Sequence, residues 1–181
     1  MANIVVAGGA GFIGSHLCKR LLHEGNDVFC VDNFLTGSKN NLISMQDNPQ
    51  FHLIEHDVSK SLADVKSRFG KVDAVFHMAS PASPNHHSRL SYHMLPMETM
   101  MVNTVGTHEL LEFALEHNAS FLFASTSEVY GDPMEHPQRE TYRGNVSTTG
   151  PRSVYDEAKR FGETLTAYYN REKGLPTRIV R

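Results

Sequence analysis

Short runs of apolar, often β-branched residues alternate along the chain with longer stretches in which apolar positions recur every three or four residues. The first run, Asn3 to Ala7, leads into a glycine turn and an amphipathic stretch from Phe12 to His23 with Gly25 as its stop, which predicts strand, turn and helix. Val28 to Val31, Phe51 to Ile54, Ala74 to Met78 and Phe121 to Ala124 predict further strands, and Thr177 to Val180 a sixth. Each run is nearly all apolar and leaves neither face for water, as in parallel strands covered by helices on both sides. The expected fold class is therefore α/β, a doubly wound parallel sheet. Right-handed crossovers then place a ligand crevice at the carboxyl ends of strands one and four, where the winding reverses. Two longer helices are predicted beside that crevice, Met97 to Glu116 and Ser153 to Lys173, the second with Pro151 before it and Gly174 after it. Ser80 to Leu95 and Gly131 to Gly150 are turn-prone and read as surface loops near the site.

Composition narrows the function more than the fold. With 181 residues, 40% of them hydrophobic, the chain can bury one good core, so residues 1–181 are read as a single domain. A net charge of -3 supplies no field for a polyanion, so nucleic acid is a poor expectation and any phosphate must be held by local amides and a few cations. No apolar run approaches the length that spans a bilayer. Cys18 and Cys30 fall in a predicted helix and strand, and no secretory leader pattern is present, which fits buried thiols in the cytoplasm.

The chemistry-bearing positions fall where a doubly wound sheet would gather them. Gly8, Gly11 and Gly14 make G-x-x-G-x-x-G between a strand and a helix, where bare backbone lets a pyrophosphate approach the helix N-terminus. Asp32 ends the second strand, and a carboxylate there accepts hydrogen bonds from an adenosine ribose while repelling a 2'-phosphate, favouring NAD over NADP. Asp57, after the third strand, can meet an adenine edge or equally cap a helix. Tyr155 and Lys159 form Y-x-x-x-K, one turn apart on a predicted helix; an ammonium together with a positive nicotinamide can lower the phenol toward the range of a general base. The plainer alternative is a packed ring and a solvated charge. Thr126 can donate a hydrogen bond to a substrate oxygen and Glu128 can move a proton, although Ser125 and Glu128 also have the spacing of a capping box. His86, His87 and His93 cluster without the cysteines or helical spacing of a zinc site, so no metal is expected. Met94, Met97, Met100 and Met101 follow helical spacing and read as packing groups.

On these residues the chain resembles the extended short-chain dehydrogenase/reductase family, the NAD-dependent epimerases and dehydratases. Within it, the chain is most similar to the UDP-glucuronate decarboxylases. The strings are GGAGFIGSHL from position 8, VDNFLTG at 31–37, HDV at 56–58, HMASPASP at 77–84, VNTVGT at 102–107, ASTSEVYGDP at 124–133 and GPRSVYDEAKR at 150–160. The resemblance implies that Gly8, Phe12, Ile13, Asp32, Asn33, Thr36, Gly37, Asp57, Val58 and Ser80 contact NAD, with Lys159 on the nicotinamide ribose and Arg152 near a nucleotide-sugar substrate, UDP-glucuronate first among them. It implies that Tyr155 takes the C4 hydroxyl proton and that Glu128, with Thr126 and Ser127, manages protons once a 4-keto acid has formed. Ser127 stands where 4,6-dehydratases usually carry an aspartate. The resemblance further implies a homodimer through the two long helices.

Some features depart from the pattern. The loop from Pro84 to Met97 is longer than in typical decarboxylases, and Met101 and Glu109 replace Lys and Asn. Family members continue beyond the position of Arg181 into a C-terminal sugar-binding part, so this chain is expected to be the N-terminal half, weak in NAD binding and feeble in turnover. The alternatives are a 4-epimerase or 4,6-dehydratase using the same Tyr155 and Lys159, and a non-catalytic NAD-binding module.

Overall fold

The computed structural model describes residues 1–181. Six parallel strands, β1 (Asn3–Ala7), β2 (Asp27–Asp32), β3 (Phe51–Glu55), β4 (Ala74–His77), β5 (Ser120–Ala124) and β6 (Thr177–Val180), lie in the order β3-β2-β1-β4-β5-β6. The predicted reversal of winding between the first and fourth strands is therefore observed. Register is continuous across it: Ala7 pairs with Val31 on one side and His77 on the other.

Why these runs are strands shows in where alternate side chains go. Val5 and Ala7 of β1 join Phe29, Val31, Val75, Phe121 and Phe123 in a core closed by helix α3 (Thr107–His117). Ile4 and Val6 point the other way, joining Val28 and Cys30 against Cys18, Leu21 and Leu22 of α1 (Phe12–His23). Period-two alternation between two apolar cores is what a buried parallel strand requires. Cys18 and Cys30 are both free and buried, as expected. No helix is long and apolar enough to cross a membrane.

The predicted helix from Met97 to Glu116 is one rod with a changed hydrogen-bond pattern in the middle. It runs as α2 (Pro96–Met101), a π-helical turn (Val102–Gly106) and α3. His77, buried at the end of β4, explains the local pinning: its Nε2 lies 3.2 Å from the Val102 carbonyl and 3.1 Å from Thr107 Oγ1. Burial and the nearby Lys159 charge push His77 down to about 3, so the ring is neutral, and a carbonyl partner requires the proton on Nε2. From the same turn Asn103 Nδ2 donates to Ser80 Oγ at 2.8 Å, tying the helix to the chain leaving β4. π turns in longer helices often sit at functional sites.

Helix α4 (Ser153–Lys173) packs closely on β5 because Gly162 has no side chain; a Cβ there would fall 2.4 Å from Cζ of Phe123. That close approach puts Lys159, three residues earlier, under the end of β5.

Candidate active site

A cleft of about 300 Å³ opens at the carboxyl ends of β1, β2 and β4. Gly8, Gly11, Asp32, Asn33, Thr36, Asp57, Val58 and Ser80 line it, so eight of the expected cofactor contacts converge there. Phe12 and Ile13 do not line it, and their side chains are exposed, at 80% and 64%. Gly11 caps the N-terminus of α1 with no side-chain hydrogen bond, and the first turn holds no acidic residue. The amides that a helix start leaves unpaired are thus free of competing side chains, which suits an anionic group. Gly14 contributes by packing: a Cβ would lie 2.1 Å from the Gly8 carbonyl oxygen. Gly37 is pressed against Asp32, with a hypothetical Cβ 2.9 Å from Oδ1.

Asp32 is buried with its carboxylate part-satisfied: Oδ2 accepts from the Ala10 amide at 2.9 Å and Oδ1 from Phe34 at 2.8 Å. Burial raises its pKa and these two amides oppose the rise. Each oxygen keeps a further lone pair for a hydroxyl. Asp57 Oδ1 accepts from the Ser59 amide and hydroxyl at 2.9 and 2.7 Å, so it holds a local turn as well as the cleft wall. The open N-terminus, the bare glycine and the ribose-type carboxylate fit a dinucleotide.

Beyond the end of β5, Thr126 opens a 3-10 turn (Ser127–Tyr130) and accepts the Glu128 amide at 3.2 Å. The alternative reading of Ser125 and Glu128 as a capping box is not realised: Thr126 is the cap, and the Ser125 hydroxyl donates to Glu163 at 2.6 Å. Ser127 is exposed, and Glu128 turns inward, with Arg152 Nη1 3.6 Å from its Oε2. Tyr155 is 5% exposed and its pKa is pushed up to about 12, chiefly by burial, with the Thr126 hydroxyl opposing. Lys159, equally buried, donates to the Ala124 carbonyl at 2.7 Å and sits 5.8 Å from the Tyr155 ring centroid. Burial brings its pKa down to about 7. The expected lowering of the phenol by Lys159 is therefore not produced by the protein groups themselves: desolvation outweighs an ammonium that is itself half neutral near pH 7.

Two residues of the site, Tyr92 and Asp156, had no role legible in the sequence. Tyr92 is fully buried, its ring stacked on Tyr155 with centroids 4.7 Å apart and its hydroxyl donating to Glu128 Oε2 at 3.1 Å. His93 stacks at 3.6 Å on His86, and no three side chains of metal-ligating type gather anywhere in the chain. Asp156 is buried, and burial first and the Glu128 charge second push it up to about 6. The methionines are a correction: Met94, Met97 and Met101 are exposed rather than packed, and Met97 and Met101 form part of the cleft wall. Met97 and Met101, one turn apart on α2, look onto the crevice and not the core, while Met94 precedes the helix.

The model of the NAD dependent epimerase/dehydratase family matches residues 4–181. The chain belongs to that family. It is 49% identical over 99% of its length to UDP-glucuronic acid decarboxylase 1 of Arabidopsis thaliana, covering 39% of that protein. A decarboxylase of Danio rerio is 44% identical over 99% of the chain and 40% of the relative. The chain thus spans less than half the length of these members. Among solved structures, a dTDP-glucose 4,6-dehydratase of Streptomyces venezuelae with NAD bound superposes with a TM-score of 0.82 at 27% identity, over 97% of this chain and 54% of that one. A UDP-galactose 4-epimerase gives 0.77 at 34% identity, over 98% and 54%. Nucleotide-sugar modification is the activity class these members share.

Proposed function

We propose that this chain carries the NAD-binding and proton-transfer half of a nucleotide-sugar decarboxylase, taking UDP-glucuronate to UDP-xylose through a 4-keto intermediate, with NAD regenerated in place. The observation that carries the reading is the 49% identity across 99% of the chain to a UDP-glucuronic acid decarboxylase. The convergence of Tyr155, Glu128 and Arg152 supports it. Gly8, Gly11, Asp32 and Asp57 would hold the dinucleotide, with Asp32 accepting from the adenosine ribose. When bound, NAD+ supplies a hydride acceptor for C4 and a positive charge near the phenol.

The chain's own groups divide the remaining work. Tyr155 accepts the C4 hydroxyl proton, and its high pKa in the protein alone makes an added cation part of the requirement. Lys159, fixed on the Ala124 carbonyl, holds the ribose side. Arg152 meets the sugar's carboxylate, and Glu128 handles protons as carbon dioxide leaves a carbon next to the ketone. A homodimer through the long helices fits the exposed Val105, Phe161 and Tyr168. A 4-epimerase or 4,6-dehydratase is the second reading, favoured by the superpositions on those enzymes.

The test is carbon dioxide release from UDP-glucuronate by the complete gene product. Release is expected, and Tyr155→Phe should abolish C4 oxidation while NAD still binds. Conversion of UDP-glucuronate to its 4-epimer, or of UDP-glucose to a 4-keto-6-deoxy sugar, with no carbon dioxide released from UDP-glucuronate, would replace this reading by the second.

A further inference from the structure

Four aromatic rings run in contact from an exposed loop to the proposed base. His86 lies on His93 with ring centroids 3.6 Å apart and planes 20° from parallel, His93 lies against Tyr92 at 4.4 Å, and Tyr92 lies on Tyr155 at 4.7 Å. His86 is exposed, His93 half-buried and both tyrosines buried. The Tyr92 amide donates to the Ser83 carbonyl at 3.1 Å, which closes the neck of the loop carrying His86. The histidine stack is a second fastening across the same neck.

That fastening suits neutral rings. Nε2 of His93 is buried without a hydrogen-bonding partner. A neutral imidazole can leave that nitrogen as an unused acceptor, whereas the protonated ring must present N–H on both nitrogens. A charged donor left dry and unpaired costs more than a neutral acceptor does. The neighbours add to the cost: His86 sits face to face with the ring, and Arg152 caps α4 beside the site. Glu128, on the 3-10 turn, favours the charge, but its Oε2 already accepts from the Tyr92 hydroxyl at 3.1 Å and faces Arg152 at 3.6 Å. Tyr92 is a neutral phenol, and His87 and Arg89 of the same loop are exposed.

We propose that the His86–His93 stack is an acid-labile clasp: it forms with both rings neutral, holds Tyr92 against Tyr155 and Glu128, and opens when His93 takes a proton. Desolvation first, then His86 and Arg152, keep His93 below the ordinary histidine range, with Glu128 opposing, in agreement with this geometry. A base held lower in the closed loop than in the released one binds its proton on release. Closure is therefore at full strength above about pH 6.5, the ordinary value, and weakens as the pH falls below it. One unit below that value the open form gains about tenfold. The clasp goes beyond the proposed function, since it needs neither sugar nor NAD.

Amide hydrogen exchange of this chain at pH 7.5 and 5.5, corrected for the intrinsic pH dependence of exchange, tests it at the Tyr92 amide. Protection there should fall about tenfold at the lower pH and stay below that of the β1 amides, which marks a local opening. His93→Phe keeps a ring in the stack and takes no proton, so the fall should vanish. In the wild type the His93 ring should titrate below pH 6.5 by nitrogen-15 shifts, and His86→Ala should bring it nearer that value. The proposal is overturned by equal Tyr92 protection at both pH values, by protection no lower than that of β1, by the same fall in His93→Phe, or by a His93 ring titrating at or above pH 6.5. In the complete gene product, His93→Phe should move the acid limb of turnover to lower pH; an unmoved limb would cut the clasp from the site. Absence of carbon dioxide release with the clasp intact contradicts the proposed function alone.

Discussion

The Tyr92 ring lies flat against Tyr155, 4° from parallel, and its hydroxyl reaches past that ring to Glu128. One side chain from a polar loop thus fixes two groups on different elements. Burial and the Glu128 charge push Tyr92 up to about 12, so it stays a donor throughout the working range. Tyr92→Phe keeps the stack and removes only the hydroxyl. Since a hydrogen bond to a charged group contributes about 1.5–3 kcal/mol, the variant should lose stability of that order, and carbon dioxide release should also fall roughly tenfold or more at a temperature where it stays folded. Single-turnover kinetics beside a melting curve would show it; a lowered melt with normal turnover of the folded variant would mean that the hydroxyl matters to folding and not to the site.

Lys159 is stabilising for function and destabilising for the fold. Its ordinary pKa of 10.5 falls to about 7 on burial, so below pH 7 the folded chain bears the full cost of a buried ammonium. Between pH 7 and 10.5 the unfolded chain binds the extra proton, and wild-type stability rises with pH through that window. Lys159→Met should therefore stabilise the chain by about 1–3 kcal/mol below pH 7. That advantage should shrink toward pH 10 while activity is lost. Urea unfolding at several pH values decides the matter, and a variant less stable at pH 6 would show that the bond to the Ala124 carbonyl outweighs desolvation.

The seat of α4 gives a separate expectation. At Gly162 a methyl group would meet Phe123 at 2.4 Å and the Asn103 carbonyl at 3.1 Å. Overpacking of this kind costs about 1–3 kcal/mol. The helix can relieve it only by lifting off β5, which draws Lys159 away from Ala124. Gly162→Ala should thus lower the denaturation midpoint and impair C4 oxidation together, whereas an alanine accepted with full activity would show that Phe123 yields instead.

Much of this architecture was legible because it is local. The six strands were visible as apolar runs to within a residue or two, and the glycine spacing with Asp32 located the cleft. The π turn was not, since the contact that pins it is to His77, twenty-five residues before Val102 and joined to it only by folding. Tyr92 and Asp156 were hidden for a related reason. Tyr92 lies in a loop whose composition signals exposure, yet it is fully buried, and Asp156 looked like an ordinary first-turn acid until the fold buried it. The methionines show the complementary limit: periodicity identifies a shared face but not what that face meets.

The glycine turn separates a folding role from a binding role three residues apart. Gly14 sits where a Cβ would come within 2.1 Å of the Gly8 carbonyl oxygen and 2.9 Å of Gly9, both backbone, so neither neighbour can swing aside. Gly14→Ala must therefore push α1 away from the end of β1, and a loss of several kcal/mol is expected, about the upper end for overpacked cores. Gly11 has φ -71°, ordinary for any residue, and a Cβ there meets only the Gly8 oxygen at 3.2 Å. Gly11→Ala should fold with less than about 1 kcal/mol of loss, because neither backbone strain nor a hard clash opposes it. Its methyl group would stand in the cleft, where a pyrophosphate needs the bare backbone. The measurement is NAD binding by calorimetry alongside thermal unfolding. Gly11→Ala should weaken binding at least about tenfold with the melt nearly unchanged, and Gly14→Ala should lower the melt first. If Gly11→Ala binds NAD as the wild type does, the dinucleotide does not cross this turn, and the assignment of the cleft must be given up.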